Sequence, residues 1–228
     1  SAGSTEKLNG YVDEVMLTNT YKPPQFYLGG GAAASDGELV STKFMHFDGS
    51  NDCINLPNVG ITGNSPFTIA AWVTMDDTTD RNMIFSWGGG SKARVDWELG
   101  RVVTNASYGL GIHFSGTTQA WGNALVGMEN TWMFVAAMYD GTTIINTKFV
   151  KDDLYITDPV EIQGGTDGAL NLVDINWVIG ARNESESDGD GSGQFFDGRI
   201  AQVAVWDVEL SQGALKDLWY KGPAGNWT

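Results

Sequence analysis

From residue 44 onward the chain alternates apolar and polar positions in short runs separated by Gly, Asn, Asp and Pro, which predicts strands and tight turns. Phe67 to Met75 sets Phe67, Ile69, Ala71, Val73 and Met75 against Thr68, Ala70, Trp72 and Thr74, so one face is core and Trp72 lies on the other. Trp132 to Tyr139 is apolar on both faces, the pattern of a central strand covered on both sides. Asp140-Gly141 then predicts a hairpin turn into a strand over 142 to 150. In Phe196, Gly198, Ile200, Val203 and Val205 the alternation slips between Ile200 and Val203, so either a bulge sits there or both faces are covered. Ser211 is a helix N-cap candidate, Leu215, Leu218 and Trp219 recur at helical spacing, and Gly222-Pro223 supplies the stop. One short helix laid on a β core is the expectation.

Residues 1 to 43 have a different texture. Leu8, Gly10, Val12, Val15 and Leu17 repeat the spacing of Phe196, Gly198, Ile200, Val203 and Val205, including the Gly and the slip. Pro23-Pro24 and Gly29-Gly30-Gly31-Ala32-Ala33-Ala34 follow, a linker composition. Two explanations fit the repeat: the last strand of a preceding module, or an extra strand laid alongside this domain. The second leaves Val12, Val15 and Leu17 less exposed. The domain reading is therefore an extension over 1 to 43 and a β-sandwich over 44 to 228.

Composition narrows the function. Of 228 residues, 42% are apolar and 18% charged, and Gly at 30 is far above the usual ~7%. A single domain with ample core and many turns follows. The net charge of -15 repels nucleic acid and anionic lipid, leaving cations and neutral ligands as partners. No apolar run reaches the ~20 residues of a membrane helix, and the first residues lack a signal-peptide apolar region. Cys53 stands alone, so no internal disulfide forms, and it reads as a small buried hydrophobe in the strand around Ile54 and Leu56. Few Lys, many Asp and many Gly suit an extracellular, cell-surface or virion protein.

Several stretches together resemble a known family, the laminin-G-like branch of the concanavalin A-like lectin and glucanase superfamily. They are Phe47-Asp48-Gly49 with the segment to Pro57; Pro66 to Trp72; Ile84 to Gly88; Trp132 to Thr142; Val178-Ile179-Gly180; and Phe196 to Trp219, in family order. The resemblance implies an all-β fold, a two-sheet antiparallel jelly-roll sandwich with one short C-terminal helix. It also implies recognition of glycans or protein surfaces outside the cell. The chain departs from the pattern at Cys53, where an aromatic is common. A second departure is Phe149-Val150-Lys151-Asp152-Asp153, where the strand normally ends in a Gly turn.

Chemistry is sparser than fold. The superfamily includes laminarinases whose catalytic strand carries carboxylates on alternate positions. The nearest match, Arg94-Val95-Asp96-Trp97-Glu98, places Arg94 where the nucleophile belongs, and an Arg cannot attack an anomeric carbon. Hydrolysis is therefore the weakest reading, and no catalytic residue is assigned. The same strand reads either as an exposed charged strand or as glycan contacts from Arg94, Asp96 and Trp97. Trp87, Trp97 and Trp121 lie beside Gly-rich or polar segments, where an indole face can stack on a sugar. His46 and His113 both fall in strand-like runs and read as framework.

Two candidate calcium sites suit hard-cation chemistry, the first of them reading otherwise as a solvated flexible loop. Asp188, Asp190 and Ser192 alternate with Gly in an acidic loop as in the first half of an EF-hand, but Arg199 occupies the position of the closing acid. Asp48, Asp52 and Asp197 converge if first and last strands are neighbours, as the resemblance implies. Asp at such turns otherwise satisfies local backbone donors. The resulting expectation is a non-catalytic, lectin-like module binding glycan at a sandwich edge or concave face, with structural calcium as a possible companion. The alternative is a structural or adhesive module whose partner is a surface protein.

Overall fold

The computed structural model describes residues 16–17, 44–56, 60–76, 82–87, 95–102, 107–114, 117–121, 129–142, 147–152, 154–156, 161–163, 170, 172–173, 177–182 and 194–223. The strands, in chain order, are β1 (Met16–Leu17), β2 (Met45–Asp48), β3 (Ile54–Leu56), β4 (Phe67–Met75), β5 (Asn82–Trp87), β6 (Val95–Val102) and β7 (Ser107–Phe114). They continue with β8 (Thr117–Trp121), β9 (Met133–Tyr139), β10 (Lys148–Lys151), β11 (Leu154–Ile156), β12 (Glu161–Gln163), β13 (Trp177–Ile179) and β14 (Asp197–Trp206). The helix α1 spans Gln212–Lys221. Among the described residues the strands form two sheets of seven. The first runs β1-β14-β4-β9-β10-β11, with β2 also on β14, and the second runs β12-β8-β7-β6-β5-β13-β3. Every named pair is antiparallel except β1 with β14.

Apolar side chains from both sheets fill the space between them. Phe67, Ile69, Ala71, Val73 and Met75 of β4 meet Phe85, Trp87, Trp97 and Trp177 from the second sheet. Each fully buried indole removes roughly 200 Å² from water, worth about 5 kcal/mol of transfer free energy at ~25 cal/mol/Å². The other face of the first sheet carries a second apolar layer. Ala70, Trp72, Phe134, Ala136 and Met138 pack there with Leu215 and Leu218 of α1. This explains why β9 is apolar on both sides and why Trp72 departs from the core alternation of β4.

Ser211 caps α1 by accepting from the Ala214 N–H, and Gly222 closes it with an N–H donated to the Trp219 carbonyl. The helix is anchored from below: the Thr68 hydroxyl donates to the Val208 carbonyl at 2.8 Å and accepts from the Leu210 N–H at 2.9 Å. The slip in β14 is a bulge. Its register against β4 shifts between Ala201 and Ala204, and Gln202 takes a φ of 53°. At the start of the same strand Gly198 has a φ of 143°, and a Cβ there lies 2.1 Å from the Thr74 carbonyl oxygen. Only glycine lets β14 approach β4 so closely.

The structure corrects one turn and resolves another. Asp140-Gly141 does not make a tight hairpin, because β10 begins at Lys148, paired with Met138. Gly141 instead turns its carbonyl to the Asn64 side-chain amide, which also reaches the Thr142 carbonyl. At the other end of β10, Asp152 takes the left-handed conformation usual for Gly, with φ at 54°. Asp tolerates that region because its short carboxylate bonds locally, here by accepting the Phe134 N–H at 3.1 Å.

Candidate functional site

The second sheet brings polar residues from five strands into one row. Successive backbone partners across β5, β6, β7, β8 and β12 are Ser86, Asp96, His113, Thr118 and Gln163. Two positions further along β6, β7, β8 and β12, and three along β5, whose register shifts between Met83 and Phe85, the partners are Met83, Glu98, Gly111, Ala120 and Glu161. Directly opposed residues share a face of a sheet, so both rows occupy one face. It is the face away from the core, since Trp97, between Asp96 and Glu98, is fully buried in the intersheet layer. The row is covered at its β5 end, where Ser86 is buried. Gly111 and Ala120 stand between Glu98 and Glu161 in that register, so the two positions between the acids carry nothing beyond Cβ.

This arrangement offers hydrogen-bonding groups at ~4.8 Å intervals, the spacing of strands. It does not offer a nucleophilic triad. A triad needs the imidazole in hydrogen-bond reach of both the hydroxyl and the carboxylate. In this row Asp96 stands in the middle, and Ser86 and His113 are two strands apart, about 10 Å.

Two of the three indoles singled out as glycan contacts face the other way. Trp87 and Trp97 are fully buried between the sheets, so both assignments are corrected to core. Trp87 stacks on Trp177 and meets Phe67 and Phe85 edge-on. The backbone of Trp121 is paired with Leu110, in the row of Leu99 and on the Trp97 side of the sheet rather than the Asp96 side. Arg94 lies outside the described residues. The residues that the sequence reading passed over are Thr118, Gln163, Glu161, Gly111 and Ala120. The signal was the alternation Gly109, Gly111 and His113 against Leu110, Ile112 and Phe114, one apolar face and one nearly bare.

The proposed metal ligands divide in the same way. Asp188, Asp190 and Ser192 lie outside the described residues. Asp48 and Asp197 are backbone partners, and Asp52 is close by. Asp48 accepts the Ser50 N–H at 2.9 Å, and Asp52 accepts the Asp48 N–H at 3.2 Å, so both are engaged in their own turn. Among the described residues no group of three His, Cys, Asp or Glu side chains is placed to hold a metal. Cys53 is partly buried and free of disulfide.

A second polar cluster sits on the outer face of the first sheet. Arg199 donates to Asp76 at 3.1 Å and to Asn130 at 3.4 Å, and Asp76 also contacts the His46 imidazole at 3.2 Å. The Arg199 guanidinium lies 5.7 Å from the centre of the Phe44 ring, which in turn meets Trp132 at 5.9 Å. Phe44 is 43% exposed, and Tyr220, against Trp219 on α1, is 68% exposed.

The chain belongs to the concanavalin A-like lectin/glucanases superfamily, whose laminin-G-type model matches residues 48–216. Among solved structures it resembles a candidate carbohydrate binding protein from Bacteroides ovatus, with 22% identity and a TM-score of 0.53. That match covers 75% of this chain and 45% of the other, so the chain spans less than half of that protein. Domain 4 of AbnA, an extracellular GH43 arabinanase from Geobacillus stearothermophilus solved with arabinotriose, matches at 16% identity and a TM-score of 0.55 over 83% of this chain and 82% of that one. A heptameric SAP-like pentraxin from Limulus polyphemus matches at 13% identity and a TM-score of 0.57 over 83% of this chain and 90% of that one. These likenesses are of fold. Curated protein sequences give no significant match. Among the described residues no helix is long and apolar enough to cross a membrane.

Proposed function

We propose that the protein is a non-catalytic carbohydrate-recognition module that binds a neutral glycan on the outer face of its second sheet. The observation that supports this most is the paired polar row Asp96, His113, Thr118 and Gln163 beside the bare positions Gly111 and Ala120. Sugar hydroxyls both donate and accept, so they need mixed partners: carboxylates and amide oxygens to accept, and imidazole, hydroxyl and amide groups to donate. The bare positions give a pyranose or furanose ring room to lie against the backbone. The charge of -15 favours a neutral ligand over an anionic one. A glycan-array screen on the intact chain tests the proposal. Binding to one class of neutral oligosaccharide, weakened at least tenfold by Thr118→Ala with Gln163→Ala, supports it, and no binding by a folded chain overturns it.

A second reading, a structural or adhesive module with a protein partner, is favoured by one observation. Arg199 against Phe44, with Trp132 behind and Asp76 and His46 alongside, is an exposed aromatic and arginine group of the type enriched at protein interfaces. Under that reading Phe44→Ala abolishes association with the partner surface and leaves glycan binding unchanged.

A further inference from the structure

Strand β14 has one edge paired with β4 from Gly198 to Trp206, interrupted by the bulge. Its other edge is shared. β2 takes Asp197–Ile200 in antiparallel fashion, and β1 takes Ala204 and Val205 in parallel. The half-edge after Gln202 is thus a separate acceptor site, because unpaired ladder groups of an edge strand invite another strand.

The register of its occupant is specific. The offset that lays Gly10 on Gly198 and Val12 on Ile200 in the sequence also lays Met16 on Ala204 and Leu17 on Val205. Those are the pairs formed. Ladder partners share a face, so Leu17 takes the row of Val205, which belongs to the intersheet core. Met16 takes the row of Ala204, which belongs to the layer under α1. A slip by one residue reverses both.

Equal direction and equal faces make β1 a copy of β14 displaced sideways by one strand spacing. It therefore presents to β14 the same edge that β14 presents to β4. A closing strand of another sandwich of this plan needs that edge for its own β4. Met16 and Leu17 cannot pair here and close a second sandwich at once.

We infer that β1 is a mimic of β14 that belongs to this sandwich, docking Met16 and Leu17 within the same chain on the half-edge beyond the bulge and sealing it against a second copy. The connection permits it. Val205 and Ile200 are about 17 Å apart along the strand at ~3.4 Å per residue. The number of residues from 18 to 43 is enough to cover that distance several times over at up to ~3.4 Å per residue.

The test is a register-specific cross-link in the full chain carrying Cys53→Ala. Paired strands hold their Cα atoms within the range of a disulfide. Met16→Cys with Ala204→Cys is expected to oxidise to a bridge within a monomer, and Met16→Cys with Val205→Cys to do so at least tenfold more slowly. In the otherwise native chain, Leu17→Pro is expected to speed amide exchange at residues 203–206 and to produce concentration-dependent association in light scattering. If that variant fails to fold, the cross-link alone decides. Equal rates for the two cysteine pairs, or unchanged exchange in a folded Leu17→Pro chain, overturn the inference. A bridge between two chains also overturns it, by assigning the occupant to a second copy.

Discussion

Trp87 lies against Trp177 with ring centroids 4.9 Å apart and planes inclined by 18°, and neither ring is exposed. The pair is a cross-strand one, since the two residues are backbone partners in β5 and β13. An indole stacked there is committed to the core, whatever polar residues flank it in sequence. Both indole N–H groups, like that of Trp97, are buried without a hydrogen-bond partner among the described residues.

That combination predicts unequal costs for two substitutions. Trp87→Ala leaves a large cavity and costs about 3–5 kcal/mol in urea unfolding. Trp87→Phe keeps an aromatic ring and removes an unpaired buried donor, which itself carries a penalty of about 1–3 kcal/mol. Its net cost is expected to be well under half that of alanine. Equal costs, or a loss below about 1 kcal/mol for alanine, contradict the core placement.

Asn64 predicts a different kind of loss. Its carbonyl oxygen accepts from the Tyr139 hydroxyl and from the Leu170 N–H at 3.0 Å, while its amide serves the carbonyls of Gly141 and Thr142. One side chain thus ties the end of β9 to two loops. Asn64→Ala is expected to cost about 2 kcal/mol, and Asn64→Asp nearly as much because the donor is lost. Thermal melts measure both, and a neutral Asp substitution contradicts the donor role.

The corner at Asp48 and Asp52 separates turn chemistry from metal chemistry. With Asp52 accepting the Asp48 N–H, Asp52→Ala is expected to cost about 1 kcal/mol. The same loss is expected with and without a chelator. A penalty that disappears when chelator is present assigns calcium to that corner instead.

What the chain reveals in advance follows the range of the interactions that set each feature. The cap at Ser211 and the stop at Gly222 depend on neighbours within a few residues and were legible, and the slip after Ile200 was legible as one of two alternatives, a bulge or cover on both faces. The double cover of β9 was legible too, because both alternating sets are apolar. The direction of Trp87 was not. Asn82-Met83-Ile84-Phe85-Ser86-Trp87 is largely apolar on both faces, and Trp177, which settles the matter, is remote in sequence. Asp140-Gly141 has the composition of a hairpin turn, but its geometry is set by Asn64 on another loop. The polar row was hidden for the same reason, since its members are joined only by the register of five strands. Of the described residues put forward for ligand binding, Asp96 alone falls in that row.

The most direct test of the glycan reading is amide chemical-shift mapping of the chain titrated with the neutral oligosaccharide that ranks first on an array. Saturable shifts are predicted at Asp96, Glu98, Gly111, His113, Thr118, Ala120 and Gln163, with α1 and the Arg199 cluster unmoved. Shifts confined to Phe44, Trp132 and Arg199, or none at millimolar ligand with the fold intact, contradict it.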